Sequence, residues 1–374
     1  MRNYAVCGNL VEPSYLNRDR IQSLDIEGVK VNFGLIHTQN PEFDRHAPEN
    51  EQMVLVKTKA FSCNYRDKSI ILSMATRNLN KSFYVVGSEF VGEVVEIGAG
   101  VTEFQLGDRV IGDGCYPHTK AEGVRPGLPT NNGSKEYQKF HQAKLIKIPP
   151  EMPDEVAAAF QIGGQTSYSM IRKLKIQPGE NVLVTAAKSN TSLFVINALK
   201  QHNVNVYALT TSMQFADQLQ QMGVKELIQI DPQQDSILSN QRIVEICQAT
   251  GGFDCVIDPF FDLYLGKVIK AIAKEGRYIT CGLYNQYSQF TNQEFNYYGS
   301  HMAEILSYAL LNNIQIIGNC IGYTEDLKAA INDYQQGKLN VVVDSIFDAN
   351  NIKDFFEKTY NNKQRFGKVI CQYS

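Results

Sequence analysis

The chain has no apolar run approaching the roughly 20 residues that cross a bilayer, and its opening residues, MRNYAVCGNLVEPSYLNRDR, show no cationic start followed by an apolar stretch. Neither a membrane anchor nor a secretory leader is expected, and a cytoplasmic protein is. An excess of one charge is also missing. A formal net charge of −3 gives no electrostatic reason to expect nucleic acid or an anionic membrane as partner. Clustered cysteines are absent: Cys7, Cys63, Cys115, Cys247, Cys255, Cys281, Cys320 and Cys371 stand apart, with no C-x-x-C pair and no histidine at finger spacing. That excludes the usual zinc modules and predicts reduced thiols in or near the core. No internal repeat or low-complexity tract is found.

What is present is ordinary in bulk and specific in pattern. At 374 residues, 43% apolar and 20% charged, the chain is long enough for two domains with separate cores. The first fifty residues are mixed and polar and read as a strand-and-loop lead-in to which no chemistry can be assigned. From Gln52 the runs MVLVKTKAF, FVGEVVEIG and GDRVIG, punctuated by Gly87, Gly92, Gly98, Gly100 and Gly107, predict β-strands and turns. Asp113 to Lys135 reads as one long loop. Loops of that length in compact domains are more often functional than idle, so a lid or substrate-contact segment and a plain insertion both stay open.

The texture changes at Pro149-Pro150. MPDEVAAAFQIGGQTSYSMIRKL reads as a helical connector, followed by NVLVTAA (strand), SLFVINALKQH (helix), VNVYALTT (strand) and MQFADQLQQMG (helix). FDCVIDPF, GRYITCG and IQIIGNC continue the alternation, which predicts an α/β fold with a parallel sheet wound on both faces. From about Gly322 the chain returns to strand-like pieces in GKLNVVVDSIF and FGKVICQYS.

The segment AFSCNYRD (Ala60–Asp67), with VVGSEFVGEVVEIGAGVTEFQLGDRVIG (Val85–Gly112), resembles the catalytic domain of the medium-chain dehydrogenase/reductase superfamily. The resemblance runs from about Gln52 to the end. It implies a GroES-like, partly open β-barrel over residues 1–155, a Rossmann doubly wound sheet over 156–318, and a return to the first domain over 319–374. Zinc alcohol dehydrogenases of the superfamily place a metal-binding Cys shortly before the Asp and a His directly after the Gly of G-H-E. Here Asn64 and Ser88 stand at those places, and the third ligand position falls near Ile162 in FQIGGQTSY. None of the three is a zinc ligand, so no metal site is expected. Asn64-Tyr65-Arg66-Asp67 is similar instead to the zinc-free enoyl- and quinone-reductase branch.

That branch implies hydride addition from NADPH to an activated C=C bond in a small molecule or peptide: an enoyl thioester, an enone, a quinone or a dehydroamino acid. Some superfamily members reduce dehydroalanine in lanthipeptide maturation. A homodimer is also implied. In the site, Tyr65 is the candidate to donate a proton to the substrate α-carbon or to hold the carbonyl, with a packing tyrosine the other reading, and Asn64 a candidate to orient substrate or ribose. Arg66 and Asp67 read as a structural pair, and Ser88 and Glu89 as filling the former metal pocket.

The cofactor residues follow from the same resemblance. The superfamily's A-x-G-G-V-G turn is replaced by Lys188-Ser189-Asn190-Thr191-Ser192, without glycine. These side chains are small or hydrogen-bonding and fall in the turn, where they could still cradle a phosphate. The second strand ends in Thr210-Thr211-Ser212 with no acidic residue to bind a free 2′-hydroxyl, which favours NADPH, although Phe215 stands where relatives often place Lys. Asp258-Pro259, Gly276-Arg277-Tyr278, Gly282 and Thr166 belong, by resemblance, to the nicotinamide side. Two other readings remain open: a non-catalytic binding protein on this scaffold, suggested by the glycine-free turn, and a zinc alcohol dehydrogenase whose Cys63 slips by one position.

Overall fold

The computed structural model describes residues 1–8, 21–77, 82–286 and 299–373 and contains two compact units, one from Met1–Ile162 and Val342–Ser374, the other from Gly163–Gln289 and Gln293–Val341. In the first unit the strands are β1 (Arg2–Cys7), β2 (Gln22–Ile26), β3 (Val29–His37), β4 (Met53–Ser62), β5 (Phe83–Val85), β6 (Glu89–Ile97), β7 (Arg109–Gly112), β8 (Tyr137–His141) and β9 (Leu145–Lys147). Helix α1 (Tyr65–Thr76) follows β4 directly, and α2 (Asp154–Ala157) and α3 (Gln161–Leu174) lead onward. The chain passes to the second unit inside α3, at Ile162/Gly163.

Strand β4 is central because MVLVKTKAFS is largely buried, including its apolar runs MVLV and AF. It pairs antiparallel with β6, from Val54↔Ile97 to Ser62↔Glu89, with register shifts that bend it as barrel strands bend. Gly92 in β6 is required by that bend, since a Cβ there would lie 2.7 Å from the Lys57 carbonyl oxygen. On its other side β4 pairs with the last strand, Lys368–Gln372, at Ser62↔Ile370. Ser62, Glu89 and the start of the last strand therefore meet at one end of the seven-stranded sheet.

The first fifty residues are more than a lead-in. β1, β2, β3 and β5 form their own sheet in the order β2-β3-β1-β5. β2 and β3 are joined by the two-residue turn Glu27-Gly28, both left-handed with φ of +53° and +79°, the geometry of a tight hairpin. That turn carries a charged side chain towards α1.

The second unit contains β10 (Asn181–Val184), α4 (Asn190–Leu199), β11 (Asn205–Thr210), α5 (Ala216–Gln221), β12 (Glu226–Gln229), α6 (Gln241–Thr250), β13 (Phe253–Asp258), α7 (Phe261–Val268), β14 (Ile272–Thr280), α8 (Met302–Asn312), β15 (Gln315–Gly318) and α9 (Thr324–Gln335). Its strands lie in the order β12-β11-β10-β13-β14-β15, every pair parallel. This is the doubly wound Rossmann order, with the switch point between β10 and β13. Its core includes Leu183, Tyr207, Leu209, Phe253, Val256 and Tyr278. After α9 the chain returns to the first unit with β16 (Val343–Asp348), α10 (Ile352–Phe356) and β17 (Lys368–Gln372). Among the described residues no helix is long and apolar enough to cross a membrane.

Candidate active site

Two of the three positions at which the resemblance places metal ligands, Asn64 and Ile162, reach the Glu89 carboxylate, and the third, Ser88, joins through Asn64 and Asp67. Asn64 Nδ2 donates to Ser88 Oγ at 3.0 Å and to Glu89 Oε2 at 2.7 Å. The backbone amide of Ile162 donates to Glu89 Oε1 at 2.6 Å. The cation of the cluster is an ammonium: Lys368 Nζ donates to Asn64 Oδ1 and to Glu89 Oε2, both at 2.5 Å. Lys368 and Glu89 are 2% and 1% exposed, so the pair sits where an unpaired charge would be costly. Among the described residues no group of three or more His, Cys, Asp or Glu is arranged to hold a metal. Burial pushes the Cys63 thiol well above its ordinary range.

Asp67 extends the network. Its carboxylate accepts from the Asn64 amide at 2.6 Å, closing the first turn of α1, and from Ser88 Oγ at 2.5 Å. Burial raises its pKa, against the Arg66 charge and these hydrogen bonds. Arg66 Nη1 lies 3.4 Å from Asp67 and donates to Asn131 Oδ1 at 2.8 Å. The Asp113–Lys135 loop is fastened there and elsewhere: Thr130 Oγ1 donates to Gln138, and Lys144 Nζ to the Gly127 carbonyl, at 2.8 and 2.5 Å.

Tyr65, the first residue of α1, is partly exposed. Its hydroxyl accepts from Lys68 Nζ at 2.8 Å. Asn64 is differently placed. Its side-chain oxygen and nitrogen are both engaged within the buried cluster. Sequence reasoning missed Lys368 altogether, because a lysine opening the apolar strand KVICQ looks like an ordinary strand boundary. It also missed Lys68, whose i,i+3 spacing from Tyr65 on a helix was the available signal.

In the second unit the glycine-free turn is built by side-chain caps. Ala186 takes the left-handed conformation, φ +46°, that a glycine ordinarily would. Ser189 is the N-cap of α4, its Oγ accepting from the Ser192 amide at 3.2 Å. Ser192 Oγ turns inward to the Thr185 carbonyl at 2.8 Å, tying helix to strand. Helix geometry leaves the amides of Asn190 and Thr191 without an intrahelical partner. Lys188 Nζ stands 5.8 Å from the centre of the Phe215 ring, which brings a cation from the turn towards the loop after β11. There Thr210 Oγ1 donates to the Ser212 carbonyl at 2.8 Å, and Thr211 is exposed.

Asp258 ends β13 at the switch point but is fully buried. It accepts from Thr185 Oγ1 at 2.6 Å, from Tyr278 Oη at 2.5 Å and from the Phe260 amide at 2.9 Å. Burial pushes its carboxyl up to about 6, against the Thr185 and Tyr278 hydrogen bonds. Gly282 has no room for a side chain, as a Cβ would meet the Pro259 carbonyl oxygen at 2.8 Å. Thr166 is buried on α3. One turn earlier Gly163 lies against α4, where a Cβ would touch Phe194 at 2.5 Å and Asn190 Nδ2 at 3.0 Å.

Residues 50–150 match the model of the alcohol dehydrogenase GroES-like domain. Acryloyl-coenzyme A reductase of Metallosphaera sedula is 24% identical over 94% of this chain and 99% of its own length. These matches support a place for the chain in the medium-chain dehydrogenase/reductase superfamily. Quinone oxidoreductase-like protein 2 of Bos taurus is 26% identical over 77% of this chain and 76% of its own. The crystal structure of an NAD-dependent alcohol dehydrogenase superposes with a TM-score of 0.74 over all of both chains at 23% identity, which shows the shared fold. As a medium-chain oxidoreductase the protein is implied to use a nicotinamide cofactor, NAD or NADP. The strand–turn–helix at β10–α4, with the α4 amides and Lys188 at its rim, fits the pyrophosphate of such a dinucleotide.

Proposed function

We propose that the protein is a zinc-independent reductase that adds hydride from NADPH to an activated C=C bond. The observation that carries this reading is the buried ammonium of Lys368, held by Asn64 and Glu89 in the cluster on which the former ligand positions converge. With Asn, Ser and a backbone amide there, alcohol activation on zinc has no ligand set. An α,β-unsaturated carbonyl compound needs no metal to accept hydride at its β-carbon. It needs a proton donor for the α-carbon, and Tyr65, partly exposed at the start of α1, supplies one. The similarity to an acryloyl-coenzyme A reductase along nearly the whole chain favours an enoyl thioester as the first acceptor to assay. An enone, a quinone and dehydroalanine in a peptide present the same acceptor chemistry.

When bound, NADPH supplies the hydride. The amides of Asn190 and Thr191 and the Lys188 ammonium would hold its pyrophosphate, Ser189 and Ser192 shape the turn, and Thr210, Thr211 and Ser212 offer its adenosine end no carboxylate to repel a 2′-phosphate. Calorimetric titration should show NADPH binding more tightly than NADH, and the reverse order would mean that the ribose-binding position is elsewhere. Replacing Ser189 and Ser192 together by Leu should abolish measurable NADPH binding in a folded protein, since losing both the cap and the helix–strand tie changes the turn that presents the Asn190 and Thr191 amides. Unchanged affinity in that variant would remove Lys188–Ser192 from the cofactor site. Wild-type protein that binds neither dinucleotide would instead favour a binding protein on this scaffold.

Elemental analysis of the purified protein should find no stoichiometric zinc. One zinc per chain, lost to a chelator together with activity, would return the protein to the alcohol dehydrogenases.

A further inference from the structure

Tyr65 is one end of a chain of polar groups that runs through a buried lysine to the tip of the β2–β3 hairpin. Its hydroxyl accepts from Lys68 Nζ at 2.8 Å, and the same ammonium lies 4.1 Å from the centre of the Tyr65 ring. Lys68 is 3% exposed. On its other side its ammonium pairs with the carboxylate of Glu27. The Glu27 side chain is 47% exposed, at the tip of the β2–β3 hairpin. The order is phenol, buried ammonium, carboxylate, water.

We infer that Lys68 and Glu27 form a relay that returns a proton to Tyr65 after each turnover. The inference rests on the reading of Tyr65 as donor and adds the path by which that donor is reset. Hydride brings its electron pair to the β-carbon, and the C=C pair moves to form an enolate. The α-carbon takes the Tyr65 proton in a new C–H bond, and the O–H bond pair stays behind as a phenolate. Lys68 gives a proton across its hydrogen bond, becoming a neutral amine. Water then reprotonates the amine at the Glu27 end. One hydride and one proton enter the substrate, and the protein is unchanged.

The geometry suits Lys68 for this step better than its alternatives. Burial pushes its pKa down from the ordinary value, with Glu27 acting in the opposite sense, so the ammonium gives up a proton more readily than a surface lysine does. Arg365 is the other cation whose charge is felt at Tyr65. Its Nη1 is engaged with the Thr359 carbonyl at 2.8 Å, and a guanidinium does not release a proton under these conditions. A purely structural Lys68 would serve only to hold the hairpin against α1.

The two roles separate by chemical rescue in the full-length protein, assayed with NADPH and acryloyl-coenzyme A. Lys68→Ala should lower kcat by on the order of a hundredfold, the low end for a lost proton-transfer group, with NADPH affinity unchanged. Added methylammonium or ethylammonium should restore part of the rate, in proportion to concentration and with a dependence on amine pKa. Lys68→Arg keeps charge and hydrogen bonding but should stay impaired, because it cannot pass the proton on. Glu27→Gln should slow turnover several-fold and enlarge the solvent deuterium isotope effect. Should Lys68→Ala fail to fold, the Arg and Gln variants still decide the matter. Full activity in Lys68→Arg, or a defect in Lys68→Ala that no amine relieves, overturns the relay while a slow Tyr65→Phe leaves the donor in place. A Tyr65→Phe enzyme with unchanged rate overturns both.

Discussion

Lys368→Met should destabilise the unit formed by Met1–Ile162 and Val342–Ser374 by roughly 3–5 kcal/mol, the usual cost of leaving one member of a buried ion pair without its partner. Glu89 would keep two donors, from Asn64 and Ile162, but no cation in contact. Asn64 Oδ1 would also lose its donor, so the N-terminal end of α1 should loosen with it. The change in shape is small, because Met retains most of the aliphatic stem, and this separates the electrostatic loss from a packing loss. Adding Glu89→Gln should recover most of the stability, since the pair would then be absent and an amide can still meet the Ile162 and Asn64 groups. Denaturant unfolding of the wild type, both single variants and the double variant gives the coupling energy directly. A loss below about 1 kcal/mol in Lys368→Met, the range of an exposed pair, would show that the ammonium does not neutralise Glu89. The proposed replacement of a metal by Lys368 would then lose its main support.

That pair also shows where the sequence stops being legible. Strands such as NVLV, NVYALT and FDCVID could be read directly, because short apolar runs between turn residues are visible in one dimension. The superfamily and the loss of metal ligands were legible from Asn64 and Ser88, since each lies within a short continuous motif. Glu89 and Lys368 are 279 residues apart, and only the joint register of Ser62 with Glu89 and Ile370 brings them together. Nothing local in either segment announces it. Likewise Glu27 reaches Lys68 because a polar stretch folds into a hairpin with a left-handed glutamate. No propensity argument favours that residue there.

Side-chain direction was the other invisible quantity. Asn64 caps α1, Ser192 lies in the first turn of α4 and Asp258 ends β13. The structure commits the Asn64 amide to Glu89, the Ser192 hydroxyl to Thr185 and the Asp258 carboxylate to Thr185 and Tyr278. A motif gives the position of a polar atom to within a residue, whereas its role depends on which neighbour satisfies it. For Asn64 the engaged amide shifts the weight of the proposed chemistry onto its neighbour.

Tyr65→Phe should reduce turnover on the order of a hundredfold, the low end for a lost general acid because water can partly replace it. The substitution keeps the ring and its contact with the Lys68 ammonium, which lies 4.1 Å from the ring centre. It removes the oxygen that accepts from Lys68. Lys68 keeps Glu27 as partner, so the stability cost should stay near the ~1 kcal/mol of one hydrogen bond. NADPH affinity should not change, as none of the residues assigned to the dinucleotide is touched. The more discriminating readout is stereochemical. In deuterated solvent the wild type should place deuterium on one face of the α-carbon. Phe at position 65 should yield a mixture, because water approaches without a fixed direction. If rate and α-carbon configuration are both unchanged, Tyr65 is a packing residue, and the proton comes from ordered water or from the Asp113–Lys135 loop, whose Asn131 is already tied to Arg66 beside it.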